Sequence, residues 1–301
     1  MVARQGSWEQ SLKKFVLGGC DVKFTKMHGL GNDFIVVEDF DLRLKNLNNL
    51  ARSLCHRNFG IGADGLALLQ LSQKAAFRVR IFNSDGSEAE MCGNLLRCVG
   101  KYLYEKGLTH NTVISVEMSQ SVKFLRLRLD GKLVSAVEVD MGEPILDSDL
   151  VPLTGERRYA VAEEISVVGE SFQMTAVSIG NPHCVIFVAD LAAVPLAVWG
   201  PALETHLAFP KKTNVEFVQV ISAGEASFRV WERGAGATLA CGSGACAVLV
   251  AGVLNGHLAR EATLHLPGGS LEIHWREDNH LYMTGSATEV FSGVLLTEPD
   301  F

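Results

Sequence analysis

No stretch of this 301-residue sequence approaches the roughly 20 consecutive apolar residues that a membrane-spanning helix requires. The sequence therefore predicts a protein that does not span a membrane. Basic residues are also few, because 27 Lys and Arg stand against 34 Asp and Glu and give a formal net charge of −7. Since nucleic-acid-binding proteins carry a basic footprint, this balance argues against a nucleic-acid partner and leaves a small zwitterionic or cationic substrate open.

The seven cysteines lack the spacings of a disulfide framework or a zinc site. They include no Cys-x-x-Cys pair and no Cys/His cluster at zinc-ligand spacing, so we expect no structural metal. An odd number of scattered cysteines in a chain this long is typical of a reducing compartment, which predicts a cytoplasmic location. We interpret Cys55, Cys98, Cys184 and Cys246 as structural residues.

One glycine motif, Gly60-Ile-Gly-Ala-Asp-Gly65, matches the dinucleotide-binding pattern but lacks its context. That pattern needs a buried strand before it and a helix after it. Residues 55–59 do not read as a strand, and residues 66–71 read as a strand rather than a helix. We therefore interpret the motif as a flexible turn.

The length and the order of patterns predict two domains of roughly 130 residues behind a short N-terminal extension. The extension covers residues 1–21, and the first domain covers residues 22–140. The second domain covers residues 141–285, and residues 286–301 return to the first domain as a last strand. Both domains read as mostly strands around one main helix, and the patterns predict no alternating β-α-β units.

Two motifs place a cysteine directly before a helical pattern, one in each half. Cys92-Gly-Asn94 precedes apolar positions from Leu95 to Leu103, with Arg97 among the polar positions between them, and Cys241-Gly-Ser243 precedes an apolar helix over residues 245–254. A thiol at a helix start lies near unpaired backbone N–H groups and the positive end of the helix dipole. Both favour the thiolate, which acts as nucleophile or base. The repetition predicts a duplicated fold with one reactive thiol from each half.

The remaining polar motifs suit an amino-acid ligand. Asparagines occur at predicted turns or strand ends, at Asn32, Asn83, Asn181 and Asn214. His183 follows Asn-Pro in a loop, and Glu232-Arg233 precedes the second glycine-rich turn. Arginine can hold a carboxylate through two parallel hydrogen bonds, and neutral amides can meet an ammonium or a carboxylate without adding charge.

Taken together, these motifs resemble those of the diaminopimelate epimerase family. The resemblance covers residues 22 to about 292, and its two cysteine motifs are specific. It implies an α/β (α+β) fold of two pseudo-symmetric domains, each a curled, mainly antiparallel sheet around a central helix, with the active site in the cleft between them. It implies a cofactor-independent epimerase that interconverts LL- and meso-diaminopimelate, on the route to lysine and peptidoglycan precursors. The matching segments are His28-Gly-Leu-Gly-Asn-Asp-Phe34, residues 83–94, Gly180-Asn-Pro-His183, Thr213-Asn-Val-Glu-Phe217, Glu232-Arg-Gly-Ala-Gly236 and Ala240-Cys-Gly-Ser-Gly-Ala-Cys246.

The resemblance also implies roles for single residues. Cys92 and Cys241 would be the two catalytic bases, and His183 and Glu232 would lie near the reacting centre. No metal and no organic cofactor would take part, and the partner would be the small-molecule substrate, with a homodimer compatible with the sequence. The substrate would be held, chiefly at its distal end, by Asn32, Asn83, Asn181, Asn214 and Arg233, and its reacting carboxylate by the helix-start residues Gly93, Asn94, Gly242 and Ser243.

Two positions depart from the family pattern. Leu95 stands where the family usually has Gly or Ala, and Ala237 stands where it usually has Glu. Leu95 could crowd the helix start or pack into the core, and Ala237 removes a carboxylate from the second glycine-rich turn. Activity or substrate preference could therefore differ from that of the family.

Three other functions compete with this interpretation. A relative of proline racemase would use the same chemistry, but Asn181, Asn214 and Arg233 argue against a substrate with no second amino-acid end. A non-catalytic amino-acid-binding protein would keep the scaffold without exchanging the α-proton. A thiol oxidoreductase normally uses neighbouring cysteines, which this chain lacks.

Overall fold

The computed structural model describes residues 22–119 and 121–295. The predicted extension over residues 1–21, with Cys20, and the last residues 296–301 lie outside the described residues. The described chain is mixed α/β, as predicted.

The strands of the described chain are β1 (Lys23–Gly29), β2 (Asn32–Glu38), β3 (Gly65–Gln70), β4 (Phe77–Asn83), β5 (Glu88–Ala89), β6 (Val113–Glu117), β7 (Val122–Asp130), β8 (Leu133–Gly142), β9 (Glu163–Val167), β10 (Glu170–Ser178), β11 (Pro182–Phe187), β12 (Asn214–Ser222), β13 (Glu225–Glu232), β14 (Gly236–Thr238), β15 (Glu261–Leu266), β16 (Gly269–Trp275), β17 (Leu281–Gly285) and β18 (Thr288–Val294). Its helices are α1 (Leu47–Cys55), α2 (Gly93–Glu105), α3 (Leu196–Glu204) and α4 (Gly242–Leu254).

The pairing of the strands repeats between the two halves. The first half pairs in the order β1, β2, β3, β4, β6, β7, β8, and the second in the order β10, β11, β12, β13, β15, β16, β17. In both series the second and third strands are parallel, the fourth and fifth are parallel, and the other neighbours are antiparallel. Each series has one further strand beside its first strand, because β18 pairs with β1 and β9 pairs with β10. The last strands of the two series, β8 and β17, pair with each other, so the two halves share one sheet.

The expectation of no β-α-β units is wrong. Each half contains two parallel crossovers over a helix. In the first half β2 and β3 are parallel across α1, and β4 and β6 across α2. In the second half β11 and β12 are parallel across α3, and β13 and β15 across α4. Both α1 and α3 have only nine residues. Parallel neighbours need a crossover connection, and a helix of this length provides it on the outer face of the sheet. The sequence patterns did not predict the direction of the strands that these helices connect.

The strands between inner and outer helices are buried on both faces. In β2, Phe34 and Val36 pack in the core that contains α2, while Ile35 and Val37 pack against the side chains of α1. All six residues of β3 are buried. This two-residue alternation between cores follows from the pleat of a strand. The same inner core contains side chains of α4, so it is continuous across both halves.

The two central helices start directly after the two motif cysteines. α2 begins at Gly93, two residues before the apolar pattern that starts at Leu95, and α4 begins at Gly242, three residues before the apolar pattern that starts at residue 245. Arg97, which the pattern assigned to the polar positions of α2, is completely buried. That assignment is wrong because α2 lies between sheet and neighbouring helix, where even its polar positions face protein.

The loop at Gly60–Gly65 is a hydrogen-bonded connection between α1 and β3. The backbone N–H of Gly62 donates to the Leu54 carbonyl at 2.9 Å, and the Lys26 ammonium donates to the Gly62 carbonyl. A helix precedes this loop and a strand follows it, which is the reverse of the dinucleotide-binding order.

Candidate active site

Cys92 and Cys241 are the residues immediately before α2 and α4, as the motifs predicted. Both have an extended backbone, with φ and ψ of −147° and 110° for Cys92 and of −132° and 108° for Cys241. An extended residue before the first helical turn directs its side chain toward the free N–H groups of that turn. Both cysteines line the same cavity of about 440 Å³.

This cavity continues into a larger one of about 910 Å³. The two cavities share Asn32, Cys92, Glu232 and Arg233 among their lining residues, so together they form one cleft. The smaller part, which we call the inner cavity, contains both cysteines. The larger part, which we call the outer cavity, extends past Asn83 and Ala237 and contains Cys92 alone of the two.

Cys92 lies beside a chain of amides. Its sulfur is 3.8 Å from Oδ1 of Asn32, and the same oxygen accepts a hydrogen bond from Nδ2 of Asn94 at 3.1 Å. The Asn94 side chain is itself fixed, because its Oδ1 accepts from Nη1 of Arg97 at 2.8 Å. The amides therefore have fixed orientations at the wall of the inner cavity.

Cys241 lies in a more acidic corner. Its sulfur accepts the Gly244 N–H at 3.3 Å and lies 3.6 Å from the Ser243 hydroxyl. A Cβ on Gly244 would lie 2.8 Å from Oε1 of Glu216 and 3.0 Å from the Cys241 sulfur. The carboxylate and the sulfur therefore both pack against Gly244, where a larger residue would not fit.

Burial raises the pKa of both motif thiols. For Cys92 the helix-start N–H groups of Leu95 and Asn94 act in the opposite direction, as does the charge of Arg97, but they do not outweigh burial. For Cys241 burial is reinforced by the carboxylates of Glu232 and Glu216, and its pKa lies well above the ordinary value. The helix starts do favour the thiolate, as expected, but desolvation is the larger effect.

Glu232 lines both cavities and lies beside Cys241. Its carboxylate accepts a hydrogen bond from the Thr238 hydroxyl. Burial raises its pKa, and Glu216 adds to the rise, while Thr238, His183 and Cys241 lower it. Glu232 is therefore a carboxyl group that can hold a proton next to a thiol.

His183 is completely buried between two oxygens. Its Nδ1 lies 2.7 Å from Oε1 of Glu216, and its Nε2 lies 3.0 Å from Oδ1 of Asn181. Asn181 lines the inner cavity, whereas His183 does not. His183 therefore reaches the cavity through Asn181, and its proximity to the reacting centre stays a prediction.

The residues predicted for the distal end lie in two places. Asn83 lines the outer cavity, where its Nδ2 donates to the Ser87 hydroxyl at 2.9 Å, and Arg233 lines both cavities with an exposed side chain. Asn214 is buried and lines neither cavity. Its amide donates to the Pro182 carbonyl at 2.8 Å and accepts the Arg233 N–H at 2.9 Å, so it connects two loops of the site. Direct substrate contact by these residues stays a prediction.

An ionic network holds Asn32 from behind. Its Nδ2 donates to Asp64 at 2.8 Å, and the Arg57 guanidinium bridges Asp64 and Asp33 at 2.6 Å and 3.0 Å. Lys26 adds a further ion pair to Asp33 at 2.8 Å. Both hydrogen-bonding groups of the Asn32 amide are therefore oriented before any ligand binds.

The four helix-start residues lie close together. A Cβ on Gly93 would lie 2.7 Å from Cε of Met283, and a Cβ on Gly242 would lie 2.9 Å from Sδ of the same methionine and 3.4 Å from Oδ1 of Asn94. Met283 thus packs against both helix starts, which must be glycine to approach it. Gly93, Asn94, Gly242 and Ser243 all line the inner cavity.

Two residues near the site were missed from the sequence. Glu216 is completely buried beside His183, and Arg97 is completely buried beneath Asn94. Each interrupts an apolar pattern with a charge, Glu216 in a strand and Arg97 in a helix. A charged residue within a buried element is the signal that could have identified them, because such residues are rare unless they are paired.

The two departures from the family pattern differ in position. Leu95 is completely buried in the inner core, so it packs rather than fills the cleft. Ala237 is exposed and lines the outer cavity opposite Trp231 in the β13–β14 pair. A longer side chain at this position would therefore project from the cavity wall.

Comparison with known sequences gives a consistent set of relatives. A family model described as diaminopimelate epimerase matches residues 24–146 and 175–290. The chain is 51% identical over 273 residues to a diaminopimelate epimerase of Methanococcus maripaludis, covering 90% of this chain and 99% of the relative. It is 53% identical over 272 residues to one of Pelotomaculum thermopropionicum, covering 90% and 97% of the two chains.

Solved structures show the same fold at low sequence identity. A hydroxyproline epimerase of Agrobacterium vitis superposes with a TM-score of 0.68 at 13% identity, over 93% of each chain. A phenazine biosynthesis protein of the PhzF family from Bacillus anthracis superposes with a TM-score of 0.67 at 12% identity, over 92% of this chain and 99% of the other. These matches support the two-domain curled-sheet architecture.

Proposed function

The chain belongs to the diaminopimelate epimerase family, and we propose that it interconverts LL- and meso-diaminopimelate by moving the α-proton between Cys92 and Cys241. The observation that carries the proposal is that two helix-start cysteines, one from each half, line one inner cavity. Two bases are needed because a single base returns the proton to the face from which it came.

The reaction balances with the two thiols alone. A thiolate takes the α-proton from one face, which leaves a carbanion, and the opposite thiol gives its proton to the other face. The protonation states of the two cysteines are then exchanged, so they titrate as a coupled pair. The same residues run the reverse reaction from the new state.

The helix starts would stabilise the carbanion. Negative charge delocalises from the α-carbon into the attached carboxylate, and free N–H groups at a helix N-terminus attract an anion there. Two helix N-termini, at Gly93–Asn94 and at Gly242–Ser243, line the inner cavity. Donors that are already oriented toward the developing charge lower the barrier, as in an oxyanion hole.

The distal amino-acid end would occupy the outer cavity. Asn32 and Arg233 line both cavities and Asn83 lines the outer one, which supports binding of a substrate long enough to reach both. Arg233 would hold the distal carboxylate, and Asn181 would face the region between the cavities. Asn214 would orient the Arg233 backbone, and His183 with Glu216 would orient Asn181.

Several further features belong to this proposal. The enzyme would work without metal or organic cofactor, in the cytoplasm, on a small molecule rather than on nucleic acid or membrane, and a homodimer is compatible with it. None of the helices in the described ranges is long and apolar enough to cross a membrane. The domains would comprise residues 22–140 with 286–301, and residues 141–285, a division supported by the repeated strand order.

The test is incubation of the purified protein with LL-diaminopimelate in deuterated water, without pyridoxal phosphate. We expect meso-diaminopimelate that carries deuterium at the inverted α-carbon. A protein that binds the compound without exchanging its α-proton would be a binding protein, and turnover of proline in a parallel reaction would indicate a proline racemase relative. Either result would overturn the proposal.

A further inference from the structure

Arg97 is a buried cation without an acidic partner among the described residues. Its side chain is completely buried, and no carboxylate lies within ion-pair distance of it there. Its Nη2 has no hydrogen-bond partner. Burying a charge without a partner is costly, so buried charges are normally paired, and Arg97 departs from that rule.

Two glycines make the space that the guanidinium occupies. A Cβ on Gly29, at the end of β1, would lie 2.8 Å from Nη2 of Arg97. A Cβ on Gly285, at the end of β17, would lie 3.1 Å from its Nε. The guanidinium is therefore enclosed between strand ends from both series, and its Nε donates to the Ser286 carbonyl at 3.1 Å.

The contacts of Arg97 point toward Cys92. Nη1 donates to Oδ1 of Asn94 at 2.8 Å and lies 3.5 Å from the Met283 sulfur. The Asn94 amide then donates a hydrogen bond to Oδ1 of Asn32. The same oxygen is the hydrogen-bond partner of the Cys92 sulfur. Arg97 does not line the cleft, so it acts through these residues and through its charge.

The two thiols differ in the charges around them. The positive charge of Arg97 acts on Cys92, and the carboxylate of Glu232 acts on it in the opposite direction. Two carboxylates, Glu216 and Glu232, act on Cys241. A neighbouring cation favours a thiolate and a neighbouring carboxylate disfavours it.

We propose that Arg97 is a positioning residue whose buried positive charge makes Cys92, rather than Cys241, the thiol that loses its proton first, while its hydrogen bond fixes Asn94 at the start of α2. The inference rests on the proposed two-thiol function and deepens it. The epimer whose α-proton faces Cys92 would then meet a ready base there and an acid at Cys241, whereas the other epimer would require the exchanged protonation state of the two thiols.

The other groups that face Arg97 are thiols. Cys98 and Cys246 lie close enough to interact with its charge, but burial raises the pKa of each to about 12. They therefore stay neutral at physiological pH and do not compensate the guanidinium. The 3.8 Å contact with Asn32 favours the Cys92 thiol only weakly, because it lies near the distance limit of a sulfur hydrogen bond.

The test measures each thiol without substrate. Full-length protein and its Arg97→Met and Arg97→Lys variants are alkylated with iodoacetamide between pH 5 and 10, and the peptides with Cys92 and Cys241 are quantified by mass spectrometry. In the parent protein we expect Cys92 to react first and at lower pH. Arg97→Met should slow Cys92 at neutral pH by about tenfold or more, equal to a rise of one unit in its pKa, and leave Cys241 little changed.

The remaining variants separate charge from folding. Arg97→Lys keeps the charge and should retain most of the Cys92 reactivity. Arg126→Met removes an exposed cation of β7 and should leave both thiol profiles unchanged. Equal Cys92 profiles in the parent and a folded Arg97→Met variant would overturn the proposal. If Arg97→Met does not fold, faster alkylation of Cys241 than of Cys92 in the parent protein overturns it equally.

Failure of this inference is distinguishable from failure of the proposed function. A shifted Cys92 profile without diaminopimelate turnover would refute the reaction and keep the role of Arg97. Turnover of diaminopimelate with an unshifted Cys92 profile would keep the reaction and refute the role of Arg97.

Discussion

Cys92 and Cys241 occupy equivalent positions, each with an extended backbone directly before a helix of 13 residues. The strand series that carry them repeat in order and direction, and Met283 packs against the glycine that follows each cysteine. Equivalent backbones do not give equivalent thiols, because Glu216 and Glu232 lie beside Cys241 while Arg97 lies behind Cys92. The pseudo-symmetry thus supplies two bases, and the side chains around them make the pair unequal.

Replacement of either cysteine by alanine should abolish net epimerisation. Each variant keeps only one proton carrier, so a proton can be removed or returned on one face but not transferred across. The measurement is stereochemical analysis of diaminopimelate together with circular dichroism of each variant. Cys92→Ser and Cys241→Ser serve as isosteric comparisons, because a serine hydroxyl is a much weaker acid than a thiol. An alanine variant that epimerises at the parent rate would remove that cysteine from the mechanism.

Replacement of Arg233 by lysine should raise KM strongly. Lysine cannot reproduce the planar two-point contact of a guanidinium with a carboxylate. Loss of one charge-assisted hydrogen bond weakens binding by about 1.5–3 kcal/mol, which corresponds to roughly 10- to 150-fold in affinity. Arg157→Lys is the matched control, because Arg157 pairs with Asp147 at an exposed position. An unchanged KM in Arg233→Lys would place this side chain outside substrate contact.

Much of the fold and site follows from local signals, and the remainder depends on contacts distant in sequence. The patterns predicted mostly strands around one main helix in each half, and the two cysteine motifs located both central helix starts. The parallel pairing across α1 and α3 could not be predicted, since pairing direction depends on how the helix packs on the sheet. Burial of Arg97 and Glu216 was missed for a similar reason. Their partners, Ser286 and His183, lie 189 and 33 positions away in the chain.

Replacement of Ala237 by glutamate should change activity or thermal stability without changing the product. The position is exposed on β14 and lines the outer cavity, so the new carboxylate would enter the wall beside Arg233. There it can either order the glycine-rich turn or compete with a substrate carboxylate for Arg233. Kinetics and melting curves of the variant decide between these, and Ala237→Gln separates the charge from the size. Identical behaviour of all three proteins would show that the departure at this position is neutral.

Replacement of Asp33 by asparagine should destabilise the fold in a pH-dependent manner. Burial raises the pKa of Asp33, but hydrogen bonds from Arg57 and Lys26 outweigh it and hold the pKa well below its usual range. A folded-state pKa below the unfolded value of about 3.9 means that the stabilisation is fully present above that pH and is lost as the pH falls further. Losing these charge-assisted contacts should lower the free energy of unfolding by about 1.5–3 kcal/mol at pH 7.

Urea unfolding at pH 7, 5 and 3 tests this dependence on Asp33. The difference between parent and variant should be equal at pH 7 and 5 and smaller at pH 3. Asp41→Asn is the control, because Asp41 and its partner Arg43 are both exposed and such pairs contribute little. A difference that is the same at all three pH values would contradict the ionic explanation.

Mild oxidation should join Cys92 and Cys241 and inactivate the enzyme. Both thiols must reach the same α-carbon from opposite faces, so little separates the sulfurs when a closed cleft is empty. A disulfide needs Cβ atoms about 3.5–4.5 Å apart, and a small movement of one half against the other could bring them there. A thiolate at Cys92 would speed the exchange, whereas Cys98 and Cys246 are buried in the core with raised pKa values and should not compete.

Peptide mapping of the oxidised protein checks the pairing of the cysteines. Dithiothreitol should restore activity, and diaminopimelate should protect the enzyme by lying between the two sulfurs. Inactivation with both cysteines still free, or linked to other cysteines, would contradict the opposed arrangement of the thiols on which the two-base mechanism depends.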